Sequence, residues 1–464
     1  MGERPVRPRF DAAACALPTR AAVPASVGET LTMQHPSAAL AGAPPTPIEE
    51  VGPRISLFST EFANNPHAIY QHMRDNYGGS SLIPVLLAPE VPATLVIGWH
   101  TARKILVDDE HFPADPRAWQ DSMPAGCPIR PMTQWRPNVL HADGAVHTRL
   151  RAAINDSLAG IDHHRLRDQV VRTAEALIER FCGEGRADVL TDYANPLVFS
   201  VLNALIGCTA EAGSQVADAM ARMFNSTTGT ETVEEDLAHA LGRVVASKRI
   251  RSGNDITTRL LRFPTEPGEH TRLSDNEAIH QLVLLFGAAI EPTVNLLANT
   301  VLRMVTDDRF LSSAKSSSAT IPDALDAELI CNPPMANFGT TYPRRPCVVD
   351  QPNGQRIWLP ANQPVVISIA ACNNDPRVNK GDLRAADWHL GWLTGRHACP
   401  AGARDAAKLI AGTGIEMLLD AVPDLVPTNP HPVWRPGPFH RALAEFPVTF
   451  TKTTPLPARL PADK

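Results

Sequence analysis

No Cys-x-x-C pair occurs in this 464-residue chain, although it holds eight cysteines. Cysteines scattered in this way argue against a disulfide framework and a structural zinc site, and they suit a reducing compartment. The N-terminus lacks the apolar stretch of a signal peptide. No uninterrupted apolar run reaches the length of a membrane span, so no membrane anchor is expected. Aromatic residues are few at 5%, and charged residues make up only 20%. A net charge of −6 offers nothing that would hold a nucleic acid. These absences leave a soluble, cytoplasmic protein as the expectation.

What is present is apolar content of 44%, enough for a substantial core, and 43 prolines. The prolines gather at the N-terminus, around Pro333 and near the C-terminus. Residues 1–50 are rich in Ala, Pro, Arg and Ser without periodicity, which predicts a disordered leader. One domain is expected over 51–464. Asn65 and Pro66 have the chemistry of a helix start. The runs SLIPVLLA and ATLVIGW read as strands of a small sheet, and TARKILVDDEHF as a short helix. From Pro113 to Asn138 the chain is loop-like, either a lid or a surface connection.

From His147 onward successive segments carry 3.6-residue periodicity, ending in a long apolar helix around Phe286. Such a helix belongs in the middle of a domain. A Ser-rich loop covers 312–320, and the segment GQRIWLPANQPVVISIAACNNDP reads as strand, turn, strand. No internal repeat is found. The order predicts an α-rich mixed α/β fold, a large helical body with small β-sheets.

The most distinctive stretch is WLTGRHACPAGAR, residues 392–404, followed by an apolar helix-like run. It places Cys399 in a loop of small residues at a helix N-terminus, a setting that favours a thiolate ligand for a metal. A nucleophilic cysteine with His397 as base is the rival, although no orienting third group can be named. The stretch resembles the cysteine-ligand loop of the cytochrome P-450 superfamily, in which an aromatic residue precedes Gly-x-Gly-x-His/Arg-x-Cys-x-Gly and a long helix. Trp392, Gly395, His397 and Cys399 fall in register, while Leu393 and Ala401 replace two of the glycines. The resemblance extends over roughly residues 50–455 and implies the cytochrome P-450 fold.

It also implies haem b with Cys399 as axial ligand to the iron. His147 and Arg151, four apart and on one helix face, match the family's propionate-binding pair. His397 is a second propionate candidate, and Trp392 is a further cofactor residue. Where the family adds an arginine after the Pro-Pro step, this chain has Thr341, with Arg344 or Arg345 as possible substitutes.

The segment FGAAIEPT matches the family's Ala-Gly-x-Asp/Glu-Thr over the haem. Ala288 and Ala289 would leave room for oxygen there, and Glu291 is the catalytic acid. The alcohol position is Pro292, which can open the helix near Ala288 but cannot relay a proton. Alternatively, Pro292 separates two helices. The next hydroxyl, Thr293, should face away. The family's Glu-x-x-Arg ion pair falls on Ala327 and Ile330, with Glu328 one step off register. Apolar replacement of a buried pair is compatible with the fold.

The function implied is haem-dependent monooxygenation. One oxygen atom from O2 enters a small organic substrate, with electrons supplied through a ferredoxin and a ferredoxin reductase. Arg396, Arg404 and Lys408 form either a docking patch for such a partner or scattered surface charge. The substrate pocket would be lined by the loop after Pro113, residues near Ile290 and the turn at Phe439. A peroxide-using or coupling haem-thiolate enzyme, or a non-catalytic haem-binding relative, is the alternative.

Overall fold

Asn65 starts a helix as its sequence predicts, its side chain accepting from the Ala68 amide (3.4 Å) with Pro66 in the first helical position. This computed structural model describes residues 44–124, 126–225, 232–264, 272–307, 310, 320–380 and 388–454. The chain enters through β1 (Thr46–Pro47), and Ile48 beyond it is fully buried in the core cluster that holds Leu82 and Ile357. Residues 46–50, expected in the leader, therefore belong to the fold, because one isoleucine has a core site to fill. Residues 1–43 of the expected leader, and 312–319 of the Ser-rich loop, lie outside the described residues.

After β2 (Ile55–Ser56) come α1 (Thr60–Asn64) and α2 (Pro66–Asn76), then the predicted hairpin of β3 (Leu82–Ala88) and β4 (Val91–Val96). The short helix α3 (Trp99–Val107) follows. The Pro113–Asn138 stretch carries two single turns, α4 (Arg117–Gln120) and α5 (Arg130–Thr133). It is packed down: Trp119 is buried and stacks on Tyr342 at 5.3 Å, and Ile129 joins the same core cluster.

The helical body comprises α6 (Gly144–Ala159), α7 (His163–Ile178), α8 (Asn195–Ile206), α9 (Ala210–Asn225), α10 (Val233–Ile250), α11 (Ile256–Arg262) and α12 (Asp275–Thr306). A short strand, β5 (Arg186–Asp188), lies between α7 and α8. Periodicity does not reveal α11, whose seven residues are too few to show a period. Its start is set by Asp255, which accepts from the Thr258 amide at 2.8 Å. A capping box between Ser274 and Glu277 starts α12. By length and composition, α12 and the segment Val189–Ile206 are apolar enough to cross a membrane, which a search for unbroken apolar runs overlooks. Both are core elements here: Leu297, Ala298 and Val301 of α12 are fully buried.

Beyond α13 (Ile321–Cys331) come β6 (Asn337–Thr341), β7 (Cys347–Asp350), β8 (Arg356–Leu359) and β9 (Val365–Ser368). The expected strand–turn–strand is correct locally, yet β8 and β9 do not pair with each other. β8 lies between β1 and β7, whereas β9 runs parallel to β4 and completes a five-stranded sheet, β2-β3-β4-β9-β6. Side-chain pattern explains the split. β9 is buried at every position and suits the middle of a sheet, while β8 is buried only at alternate residues. The short helix α14 (Ile369–Asn373) and the long α15 (Ala401–Ala421) follow. Ile410, Ile415 and Leu418 of α15 share one core with Val170 of α7 and Leu297 of α12. The tail adds β10 (Val426–Pro427) and β11 (Pro447–Thr449), which pair with each other and, through β11, with β5.

Candidate functional site

Cys399 lies one residue before Pro400, the N-cap of α15. Its amide donates to the Trp392 carbonyl at 2.9 Å, closing the loop. Gly395 sits at φ +76°, and a Cβ there would run into the Leu106 carbonyl, so this glycine is required. Leu393, in place of the first missing glycine, adopts φ +56° nonetheless. That conformation costs an L-residue about 1–2 kcal/mol, and the leucine offsets it by packing against the core around Leu390. Ala401, at the other missing glycine, is the first residue of α15 and needs no unusual backbone. Burial pushes the Cys399 thiol up to about 11, opposed by Arg404 and Arg151. An ionised sulfur here therefore needs a cation bound to it.

His147 and Arg151 share one face of α6, and both meet the cysteine loop. The His147 and His397 rings stand edge to face at 4.6 Å, and Arg151 Nη2 donates to the Arg396 carbonyl at 2.8 Å. Burial, with Arg151 and Arg396 nearby, pulls His147 down to about 4; burial, His147 and Arg151 pull His397 to about 3. Buried His147 Nε2, Arg151 Nε and His397 Nδ1 have no hydrogen-bond partner. No carboxylate pairs with Arg151 among the described residues. A cluster of basic groups with unused nitrogens fits an anionic group such as a haem propionate. Thr341 is buried with its hydroxyl unpartnered. Arg344 does not replace the missing arginine. It is 63% exposed and leans toward Asp115 and Asp143, at 3.7 and 3.9 Å. Arg345 is exposed as well.

Helix α12 runs unbroken through Pro292, so the proline does not divide it. Since proline has no N–H, the Ala288 carbonyl lacks its partner four residues on. Residues 293–302 are all buried, yet 287–292 are partly accessible and Ala288 is exposed. The middle of this core helix is thus accessible, with Ala289, Ile290 and Trp392 packed along the core beside it. Thr293 is 3% exposed and turned into the core, as its position one residue on requires. Glu291 accepts from Asn295 Nδ2 (3.2 Å) and forms an ion pair with Arg435. Arg435 in turn donates from Nε to His440 Nε2 at 3.3 Å. Sequence reasoning missed Arg435, since an arginine beside Pro-Gly-Pro carries no motif.

Ala327 and Ile330 are buried apolar residues, as their place in the absent Glu-x-x-Arg pair implies. Glu328 on the neighbouring face is also buried, and it accepts from Arg303 Nε of α12 at 2.6 Å. A buried ion pair therefore exists between helices, outside the motif that would have announced it. Of the expected docking patch, Arg396 pairs with Asp109 and Lys408 with Asp326. Only Arg404 carries no ion pair among the described residues, so most of the patch is neutralised. Phe439, expected at the substrate pocket, is 2% exposed in the core with Tyr70 and Ala371.

No protein-family model matches the chain. It is 26% identical over 413 residues to the cytochrome P450 monooxygenase PikC of Streptomyces venezuelae, covering 86% of this chain and 94% of that protein. It is 25% identical to the vitamin D(3) 25-hydroxylase of Pseudonocardia autotrophica, covering 85% and 96%. Among solved structures it is similar to CYP154C4 from Streptomyces sp. W2061, with a TM-score of 0.75, 23% identity, and coverage of 88% of this chain and all of that one.

Proposed function

We propose, from the premise that this chain belongs to the cytochrome P-450 superfamily, how its own residues serve a haem-dependent monooxygenase. The observation that carries the reading is the meeting of the Cys399 loop with unpartnered basic atoms of His147, Arg151 and His397. Haem b, when bound, supplies oxygen activation, assisted by electron density from a cysteine thiolate. Cys399 would hold the haem iron through its sulfur, the bound iron being the cation that favours an ionised thiolate in this buried loop. His147, Arg151 and His397 hold the propionates, and Trp392 braces the loop through its carbonyl.

On α12, Ala288 and Ala289 are small, accessible residues that would leave space for O2, beside the Ala288 carbonyl that Pro292 deprives of its usual donor. Glu291 is the proton-handling acid, oriented by Arg435 and Asn295. Pro292 moves no proton. The substrate is a small organic molecule, and electrons arrive from a redox partner. We assign that partner to a ferredoxin with its reductase, near Arg404, and the enzyme to the cytoplasm. Residues 51–464, with β1 attached, act as one catalytic domain.

Carbon monoxide difference spectroscopy tests the ligand. The wild type should give a thiolate-haem band that Cys399→Ala abolishes. A wild type reconstituted with haem that gives no such band would overturn the assignment.

A further inference from the structure

Arg441 lies outside the site described above and has no carboxylate partner among the described residues. Its Nη1 donates to the Ala63 carbonyl, its guanidinium carbon lies 3.4 Å from the Trp434 ring centroid, and its buried Nε–H has no partner. The nearby acids are committed elsewhere. Glu328 accepts from Arg303 at 2.6 Å, Asp307 lies 3.9 Å from the same arginine, and Glu291 pairs with Arg435. Burial pulls Arg441 down to about 10, with Glu328 acting only to offset it. A half-buried guanidinium with an unused donor calls for an anion or a water molecule.

Arg441 lines a small cavity together with His67, Tyr70, Arg435, Gly437 and His440. No acidic residue lines it. His440 Nε2 accepts from Arg435, so in the neutral ring the proton sits on Nδ1 and provides another donor. The Tyr70 hydroxyl donates to Asn337 Oδ1 at 3.3 Å, and His67 Nε2 donates to Asn332 Oδ1 at 2.7 Å. Gly437 is needed for this arrangement, because a Cβ would lie 2.6 Å from His440 Cε1 and 2.8 Å from its Nε2. The cavity leaves about 10 Å³ to the centre of a water-sized sphere, room for one such sphere. That admits a halide or the end of a carboxylate and is too small for sulfate or phosphate.

We propose that this cavity binds one small monovalent anion, held by the Nε–H of Arg441 with His440 beside it. The anion is either free chloride or the carboxylate of an acidic substrate, and the two share the same chemistry at Arg441. This inference stands on the cavity alone and does not depend on the haem assignment.

Chloride-35 NMR line broadening of the full-length protein in gluconate buffer, titrated with sodium chloride at constant ionic strength, tests it. The wild type should broaden the chloride line several-fold more than either Arg441→Met or Gly437→Ala. The second variant pushes His440 into the cavity and keeps every charge. Decanoate that removes the excess broadening identifies a substrate carboxylate as the occupant, and decanoate without effect identifies free chloride. Equal broadening by the wild type and both variants, each folded by circular dichroism, would overturn the proposal and leave the cavity to water.

Discussion

Arg435 pairs with Glu291 across 144 residues of sequence, and their side chains are only 27% and 12% exposed. The pair joins the C-terminal turn to the accessible middle of α12. A carboxylate this enclosed would favour its neutral form without a counter-charge. Arg435 supplies that charge, and Asn295 adds a hydrogen bond. Proton transfer by a positioned acid contributes typically about 10²–10⁴-fold. Glu291→Gln should therefore lower product formation by about 10²-fold while the haem spectrum stays unchanged. Arg435→Met should lower it at least about tenfold for the same reason. Full product formation by Glu291→Gln, with reductase and oxygen supplied, would remove Glu291 from the proton route.

Pro292 frees the Ala288 carbonyl but offers no hydroxyl, and Thr293 is turned into the core. Replacing Pro292 by Thr puts a hydroxyl on the accessible face beside Glu291. The fraction of electrons recovered as product, against peroxide, should rise. Unchanged coupling in a variant of full activity would show that protons bypass this position.

Arg303 and Glu328 form a buried pair in which neither partner can turn to water. Removing one partner from such a pair typically costs about 3–5 kcal/mol, while replacing both with packed apolar residues is often neutral. Glu328→Leu alone should lower the urea midpoint markedly, and the double variant Arg303→Met/Glu328→Leu should regain most of it. A single variant as stable as the wild type would show that the pair contributes nothing.

His141 is 8% exposed, its Nδ1 accepts from the Arg136 amide, and burial holds it down to about 4 from a usual 6.5. The unfolded chain takes up this proton first as pH falls, so stability is lost from about 6.5 down to about 4. His141→Asn keeps an acceptor in the Nδ1 position and removes the titration. The melting temperature of this variant should fall less steeply over that window than that of the wild type. Parallel curves would exclude His141 as a source of acid sensitivity.

Features that depend on a few neighbouring residues are legible in the chain itself. Asn65 and Pro66 begin a helix, and β3 and β4 form a hairpin. Spacing alone puts His147 and Arg151 on one helix face, and it is the resemblance to a known family that singles out this pair together with Cys399. Several other features are not legible. The same alternation that marks β8 as a strand says nothing of its pairing with β1. Burial on both faces places β9 beside β4, some 270 residues earlier. The departures from the family pattern at Ala327 and Ile330 read correctly as apolar replacements, yet the partner of Glu328 comes from another helix.

The sequence by itself determined the Asn65 helix start, most of the long helices and the setting of the cysteine loop, since capping, turn chemistry and periodicity act within one or two turns of chain. The link between that loop and the basic pair came from the family resemblance. Only the tertiary structure decided which charges meet. Arg435 reaches Glu291, Arg303 reaches Glu328, and Arg441 is left facing a cavity. Such pairings follow from how distant elements pack, and a buried charge accepts whichever counter-charge that packing brings within reach.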